Sequence, residues 1–170
     1  MSDLRDRVRA DEGPFQKLLV SIPGFDGYRE REIRRAADKI LREHLVTLVD
    51  EARERLRALI SDCTRAGKLD ALDPLDRLAG RLVKLRDNIR LADYGYTGFF
   101  DAAKIKEDEL DRIYEYDLSL REQVGGIQAA VEALAAETQP ESALADLDAR
   151  ITQTQRMLDE RGAITASLIP

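Results

Sequence analysis

A long stretch without helix-breaking residues constrains the fold of this chain more than any other feature. Residues 28–66 contain neither proline nor glycine. Apolar residues recur there at steps of three and four, which is the spacing of one face of a helix; they are positions 33, 37, 41, 45, 48, 52, 56, 59, 63 and 66. At about 1.5 Å per residue this helix would be nearly 60 Å long. We therefore predict a rod-like helix, with Gly67 at its C′ position.

A second helix is predicted to begin at Asp73 and Pro74, an N-cap residue followed by a proline of the first turn. Leucines and other apolar residues follow in a heptad pattern that ends near Ala92; the seam is Leu75, Leu78, Leu82, Leu85, Ile89 and Ala92, with Gly80 as a weak position. Because the connection from Gly67 is short, we expect this helix to pack antiparallel to the first.

A third long helix is predicted over residues 107–137, with an acidic first turn. Its seam is Leu110, Ile113, Asp117, Leu120, Val124, Ile127, Val131 and Leu134. Asp117 thus occupies a core position, which favours a register-setting or arginine-paired structural role over acid–base chemistry with the nearby Tyr114 and Tyr116. Gly125 and Gly126 lower the helix propensity by about 2 kcal/mol relative to alanine, which predicts a kink or a close helix contact.

The last helix is predicted to run from Pro140 to Gly162, and the tail 163–170 is expected to be loose. Its seam is Leu144, Leu147, Ile151, Thr154 and Leu158. With 35% charged and only 5% aromatic residues, the chain fits a narrow all-α interior. We predict one elongated antiparallel bundle, 28–162, preceded by a short helix and turn within 1–27.

The sequence lacks the residues that several functional classes require. A single cysteine, Cys63, and a single histidine, His44, are too few for a disulfide or a structural zinc site. No cofactor and no catalytic activity is therefore expected. No apolar run is long enough to span a bilayer and no secretory signal precedes the first helix, so a cytoplasmic protein is expected. A pI near 5.0 argues against nucleic acid as a partner.

The net charge of −6 is unevenly distributed. Residues 1–100 contain 20 Lys and Arg against 18 Asp and Glu, whereas residues 101–170 contain 7 against 15. Either the two parts attract each other, or the acidic part faces a basic partner.

Four of the nine aromatic residues lie within seven positions between the second and third helices; they are Tyr94, Tyr96, Phe99 and Phe100. The alternation of helix directions would place Phe25 and Tyr28 at the same end of the bundle. These rings either cap that end or are exposed for a partner protein or a lipid interface.

Three stretches, 22–28, 34–42 and 94–102, together resemble a group of bacterial helical proteins that have no assigned activity. The resemblance covers about residues 15–120. It implies a bacterial cytoplasmic origin and a link between the two aromatic segments, and it implies no site residue.

From these features we expect a non-catalytic structural or adaptor protein. It would act through protein–protein contacts, including self-association through apolar seams left over by the long helices. The alternative is a peripheral membrane-associated protein that docks through the aromatic residues.

Overall fold

A computed structural model describes residues 33–92, 107–136 and 140–167, and of the earlier residues only Lys17. The described residues form four long α-helices: α1 (Ile33–Arg65), α2 (Leu72–Leu91), α3 (Glu107–Ala136) and α4 (Pro140–Ser167). A single turn of 3-10 helix, Leu69–Ala71, precedes α2. The predicted all-α bundle is confirmed, while the short helix expected near 15–20 lies outside the described residues.

The connection between α1 and α2 begins with the predicted glycine cap. Gly67 has a φ of 70°, and its N–H donates to Thr64 O while the N–H of Lys68 donates to Cys63 O. These two bonds form a Schellman motif, which satisfies the last carbonyls of α1 and reverses the chain.

The predicted start of α2 is wrong by a few residues. The 3-10 turn continues directly into the helix, because the N–H of Leu72 donates to Leu69 O. The N-cap residue is therefore Ala71, without a side-chain cap, and Asp73 and Pro74 lie in the first turn. Proline is tolerated there, since the first N–H groups of a helix have no partner within it.

The expectation for the end of α4 is also wrong. The helix continues through Gly162 to Ser167, because Arg161 and Thr165 extend its buried face by another turn. The Thr165 hydroxyl donates to Arg161 O at 2.6 Å. Of the tail expected to be loose, only 168–170 lie outside the described residues.

The four helices form two antiparallel hairpins, α1–α2 and α3–α4, packed side by side. α1 contacts α3 and α2 contacts α4, while the pairs α1/α4 and α2/α3 lie on the diagonals of the bundle. Gln128 donates to Leu48 O, and further along both helices Arg55 pairs with Glu132. Helices α1 and α3 are therefore parallel neighbours.

On the opposite side of the bundle, helices α2 and α4 are also parallel neighbours. Arg81 of α2 pairs with Asp148 of α4, and Asn88 donates to Gln155 at 2.8 Å. Positions thus advance in the same direction along α2 and α4. The segment 93–106 consequently joins two helices on a diagonal, which requires a longer connection than two adjacent helices need.

The core consists mainly of the predicted seams. All five Leu and Ile residues of the α2 seam are buried, and so is every seam position of α3 from Ile113 to Leu134. Among the α1 side chains that the structure describes, residues 39–65, the buried ones are Leu41, Leu45, Val49, Ala52 and Leu56. Leu48 of the predicted α1 seam is only half-buried and Val49 replaces it, because α1 contacts two neighbours and buries a wider face than one seam.

Of the glycine pair of α3, only Gly126 lies against a neighbouring helix, where it meets the end of an arginine side chain. A Cβ atom on Gly126 would lie 2.8 Å from Nη1 of Arg150 in α4. Arg150 is itself held by Asp146 through a 2.7 Å hydrogen bond. Gly126 thus leaves room for the Arg150 guanidinium, whereas a Cβ on Gly125 would meet nothing within 4 Å.

This difference predicts unequal effects of two neighbouring substitutions. Gly125→Ala should raise the free energy of unfolding by about 1 kcal/mol, because alanine has the higher helix propensity. Gly126→Ala should raise the free energy of unfolding by a smaller amount, because the new methyl group must displace the Arg150 side chain. Urea unfolding of both variants measures the difference, and equal gains would contradict the Arg150 contact.

Candidate functional site

The six aromatic residues predicted to form an interaction surface, Tyr94, Tyr96, Phe99, Phe100, Phe25 and Tyr28, lie outside the described residues. The helix ends that flank the main aromatic segment are described. Leu91, at the end of α2, leaves 60% of its surface exposed. That end of the bundle therefore carries an exposed apolar side chain next to the aromatic segment.

A groove opens between α1 and α2 close to this end. It has a volume of about 440 Å³ and is lined by Lys39, Arg42, Glu43, Val46, Thr47 and Arg90. Five of these residues come from one face of α1, because they follow one another at helical spacing, and Arg90 comes from the last turn of α2. Among the described residues, the groove thus has three cationic side chains, one carboxylate, Thr47 and the partly buried Val46.

The carboxylate of the groove, that of Glu43, forms only a weak ion pair with Lys39. Glu43 lies 3.8 Å from Lys39 Nζ, and both side chains are largely exposed. An exposed pair of this kind contributes between zero and about 1 kcal/mol. Within the described part of the chain Arg90 forms no ion pair, so this side chain adds a positive charge to the groove.

Elsewhere on the α1–α2 hairpin arginines lie beside carboxylates. Arg86 donates to Asp87 at 2.7 Å and lies 3.4 Å from Asp50. Arg53 lies 3.6 Å from the same Asp50 and 2.9 Å from Glu54. In the middle of the hairpin positive charge is thus matched locally, as it is for Lys39 and Glu43 in the groove.

The two hairpins carry opposite charges. Helices α1 and α2 together contain thirteen Lys and Arg against nine Asp and Glu, whereas α3 and α4 contain five against thirteen. Among the described residues, two ion pairs connect the hairpins, and each joins an arginine of the first to a carboxylate of the second: Arg55 with Glu132 and Arg81 with Asp148. The sequence left open whether the basic and acidic parts attract each other or face a partner. In the structure the basic hairpin and the acidic hairpin pack against each other within one chain.

A buried ion pair joins α3 to α4. Asp117 is 2% exposed and Arg161 is 4% exposed. The guanidinium donates from Nε to Oδ1 and from Nη2 to Oδ2 at 2.8 Å, which is the bidentate geometry of a strong charge-assisted pair. The arginine-paired role predicted for Asp117 is confirmed. Arg161 was missed because it lies next to Gly162, where the helix was expected to end.

The two tyrosines predicted to accompany Asp117 lie in different surroundings. Tyr114 is buried in the core. Tyr116 donates to Glu160 at 2.8 Å; burial, followed by this hydrogen bond and the negative charge of Glu160, raises the pKa of Tyr116 to about 12. The tyrosine hydroxyl therefore stays protonated at neutral pH and serves as a donor between α3 and α4.

His44 is partly buried on α1, and its Nε2 atom is buried without a hydrogen-bond partner among the described residues. Burial lowers the pKa of His44 below its ordinary value of 6.5; the charge of Arg121 lowers it further and that of Glu51 partly opposes this. The imidazole is thus neutral at neutral pH.

Acidification should therefore weaken the fold through His44. Because its pKa is lower in the folded state, the unfolded chain binds the proton more readily, and stability falls as pH drops from about 6.5 through the folded-state pKa. We expect wild-type protein to lose more stability between pH 7.5 and 5.5 than His44→Gln, measured by urea unfolding. His44 is the only histidine, so the difference between the two proteins isolates it, and identical pH dependences would contradict the prediction.

Among residues 33–92, 107–136 and 140–167 there is no group of three or more His, Cys, Asp or Glu side chains placed to hold a metal ion. No helix in the same described ranges has an apolar stretch long enough to cross a membrane. Cys63 is a free, half-buried thiol.

The fold defines a class, a four-helix bundle built from two hairpins. No protein-family model, no curated protein and no solved structure matches the chain. The resemblance to bacterial helical proteins therefore stays a prediction.

Proposed function

We propose that this chain is a non-catalytic adaptor or structural protein that acts through protein–protein contacts and associates with itself. The observation that supports this is the basic groove of α1 and α2 at the end of the bundle where exposed Leu91 leads into the aromatic segment. Cationic side chains beside apolar ones are a frequent composition of protein-binding surfaces, in which Arg and aromatic residues are enriched.

The basis for self-association differs from the one expected from the sequence. The apolar seams of α1 to α4 are buried within a single chain. Among the described residues the large hydrophobic side chains that remain exposed are Leu69, Leu91 and Ile164. An association would accordingly use the groove end rather than leftover seams.

Light scattering after size exclusion tests the proposal. At low salt we expect a mass above the 19.2 kDa of one chain, reduced in a Phe99→Ser/Phe100→Ser variant. The matched control is Leu69→Ser, which removes an exposed apolar side chain from the opposite end of the bundle and should leave the mass unchanged. A mass of one chain at every concentration would contradict self-association.

The rival function is docking on a membrane surface. Exposed Leu91 next to Arg90 and the groove cations has the mixed apolar and basic character that favours anionic lipid surfaces. Co-sedimentation with vesicles containing phosphatidylserine measures it. Binding that is lost in Phe99→Ser/Phe100→Ser would support this function, and absence of binding would exclude it for such lipids.

A further inference from the structure

We infer that His44 of α1 and Arg121 of α3 form a proton-sensitive contact between the two hairpins, and that uptake of a proton by the imidazole separates α1 from α3 at the groove end of the bundle. This inference does not rest on the proposed self-association. It also goes beyond a general loss of stability on acidification, because it names the group that opposes the proton and the part of the bundle that opens.

The register of α1 against α3 places the two side chains opposite each other. Gln128 of α3 donates to Glu51 of α1 at 2.8 Å. Arg55, one turn further along, pairs with a glutamate of α3, and in both pairs the partners are 77 positions apart. Parallel helices with the same rise per residue keep such an offset over several turns. Arg121 follows His44 by the same 77 positions, and its charge acts on the imidazole.

This contact lacks the hydrogen bonds of its neighbours. Nε2 of His44 and Nε of Arg121 are both buried, and neither atom has a hydrogen-bond partner among the described residues. Arg121 also forms no ion pair within that part of the chain. Two turns further along, Gln128 and Glu51 are hydrogen-bonded. Because buried polar atoms without partners are unfavourable, the contact of His44 with α3 holds the hairpins together less firmly than the layers beyond it.

A proton on the imidazole makes the contact repulsive. The neutral ring has one nitrogen that accepts hydrogen bonds, so it can lie beside a guanidinium, which only donates. The imidazolium has two N–H donors and a positive charge. It then faces Arg121 as donor against donor and as cation against cation. Since both side chains are half-buried, solvent screens this repulsion less than it would in bulk water.

The carboxylates nearest to the contact on α1 and α3 do not cancel the repulsion. Glu51 favours the proton, but its charge opposes the effect of burial and of Arg121 only in part, and it accepts a hydrogen bond from α3. Asp117, one turn before Arg121, is held by two hydrogen bonds from an arginine of α4. Helix α4 itself lies on the diagonal from α1.

The charged residues of α2 meet a different face of α1. Arg86 lies 3.4 Å from Asp50, and Arg90 lines the groove together with Val46. At 3.6 residues per turn, positions 46 and 50 are rotated from position 44 by about 160° and about 120° around the helix. His44 therefore faces α3, while α2 packs on the other side of α1.

Because His44 is the only histidine, NMR of tag-free protein gives a direct first test. Its ring signals, followed through a pH titration, report its proton affinity. Arg121→Gln should raise this affinity about twofold or more, since a like charge is removed, and Glu51→Gln should lower it. The control Arg77→Gln removes an exposed cation of α2 and should leave the midpoint unchanged. An unchanged midpoint in Arg121→Gln would overturn the inference.

A distance measurement tests the opening itself. Spin labels at Thr47→Cys and Glu122→Cys report the separation of α1 and α3 near His44. The matched control pair, Glu54→Cys and Ala129→Cys, lies seven positions further along both helices. All four positions are exposed, and the native cysteine is replaced by serine in both proteins.

Electron–electron double resonance is recorded at pH 7.5 and at one pH unit below the midpoint measured by NMR. At the lower pH the first pair should shift to longer distances, and the control pair should keep its distance. In His44→Gln neither pair should move. If the first pair keeps its distance although His44 is protonated, the contact does not open. Lengthening of both pairs together, or an opening that persists in His44→Gln, would also contradict the inference.

Discussion

Replacing Asp117 with alanine is expected to lower the free energy of unfolding by about 3–5 kcal/mol. The loss exceeds that of an ordinary side chain because the buried Arg161 guanidinium would lose both of its hydrogen bonds to the Asp117 carboxylate. Both partners are almost fully enclosed between α3 and α4. Urea unfolding followed by circular dichroism measures the change.

The matched control is Glu115→Ala, two residues earlier on α3 and exposed. It removes a carboxylate of the same helix without exposing a buried partner charge, so its effect should lie within about 0.5 kcal/mol. Equal effects at the two positions would show that the Asp117 pair is solvated in solution.

A double replacement distinguishes what the Asp117–Arg161 pair contributes to the free energy of unfolding from what it contributes to the register of α3 against α4. Asp117→Leu together with Arg161→Met removes both charges and keeps apolar volume, so stability should be close to wild type or higher by about 1–4 kcal/mol. If the pair sets the register of α3 against α4, the double variant should show a broader unfolding transition even though it is stable. A loss as large as that of Asp117→Ala would contradict this interpretation.

The second large effect is expected in the apolar core. Leu82 of α2 is completely buried, so Leu82→Ala should cost about 2–5 kcal/mol through lost burial and the cavity left behind. Leu91→Ala, on the same helix but 60% exposed, should change stability by less than about 0.5 kcal/mol. Thermal and urea unfolding of the two variants provide the comparison.

If Leu82→Ala were as mild as Leu91→Ala, the core around α2 would have to be loosely packed. This matters for the groove, because Arg90 can keep its place opposite Lys39 and Arg42 only while α2 is held firmly against α1.

The opposite charges of the two hairpins affect both folding and interaction. Within the chain they bring basic and acidic surfaces together through Arg55 and Arg81, whose exposed pairs are each worth at most about 1 kcal/mol. Their main contribution is thus to select which hairpin faces meet, since apolar burial supplies most of the stability.

The sequence alone predicted much of the fold because helices depend on local information. The three- and four-residue spacing of apolar positions predicted the four long helices and most of the buried residues, from Leu75 on α2 to Leu134 on α3. Gly67 could be recognised as a C′ residue because only its own backbone conformation and two nearby carbonyls are involved. The core position of Asp117 likewise followed from its place in the α3 seam.

Only the tertiary structure decided how the helices are arranged and which side chains meet. The parallel pairing of α1 with α3 and of α2 with α4 depends on contacts between distant residues, such as Arg81 with Asp148. The continuation of α4 past Gly162 depends on Arg161 reaching Asp117 across the hairpin, which outweighs the local preference of glycine to end a helix. The groove of Lys39, Arg42 and Arg90 exists only because two antiparallel helices place their cations side by side. The spacing of apolar residues along the chain determines which face of each helix is buried. Which helix packs against that face depends on contacts between residues far apart in the sequence.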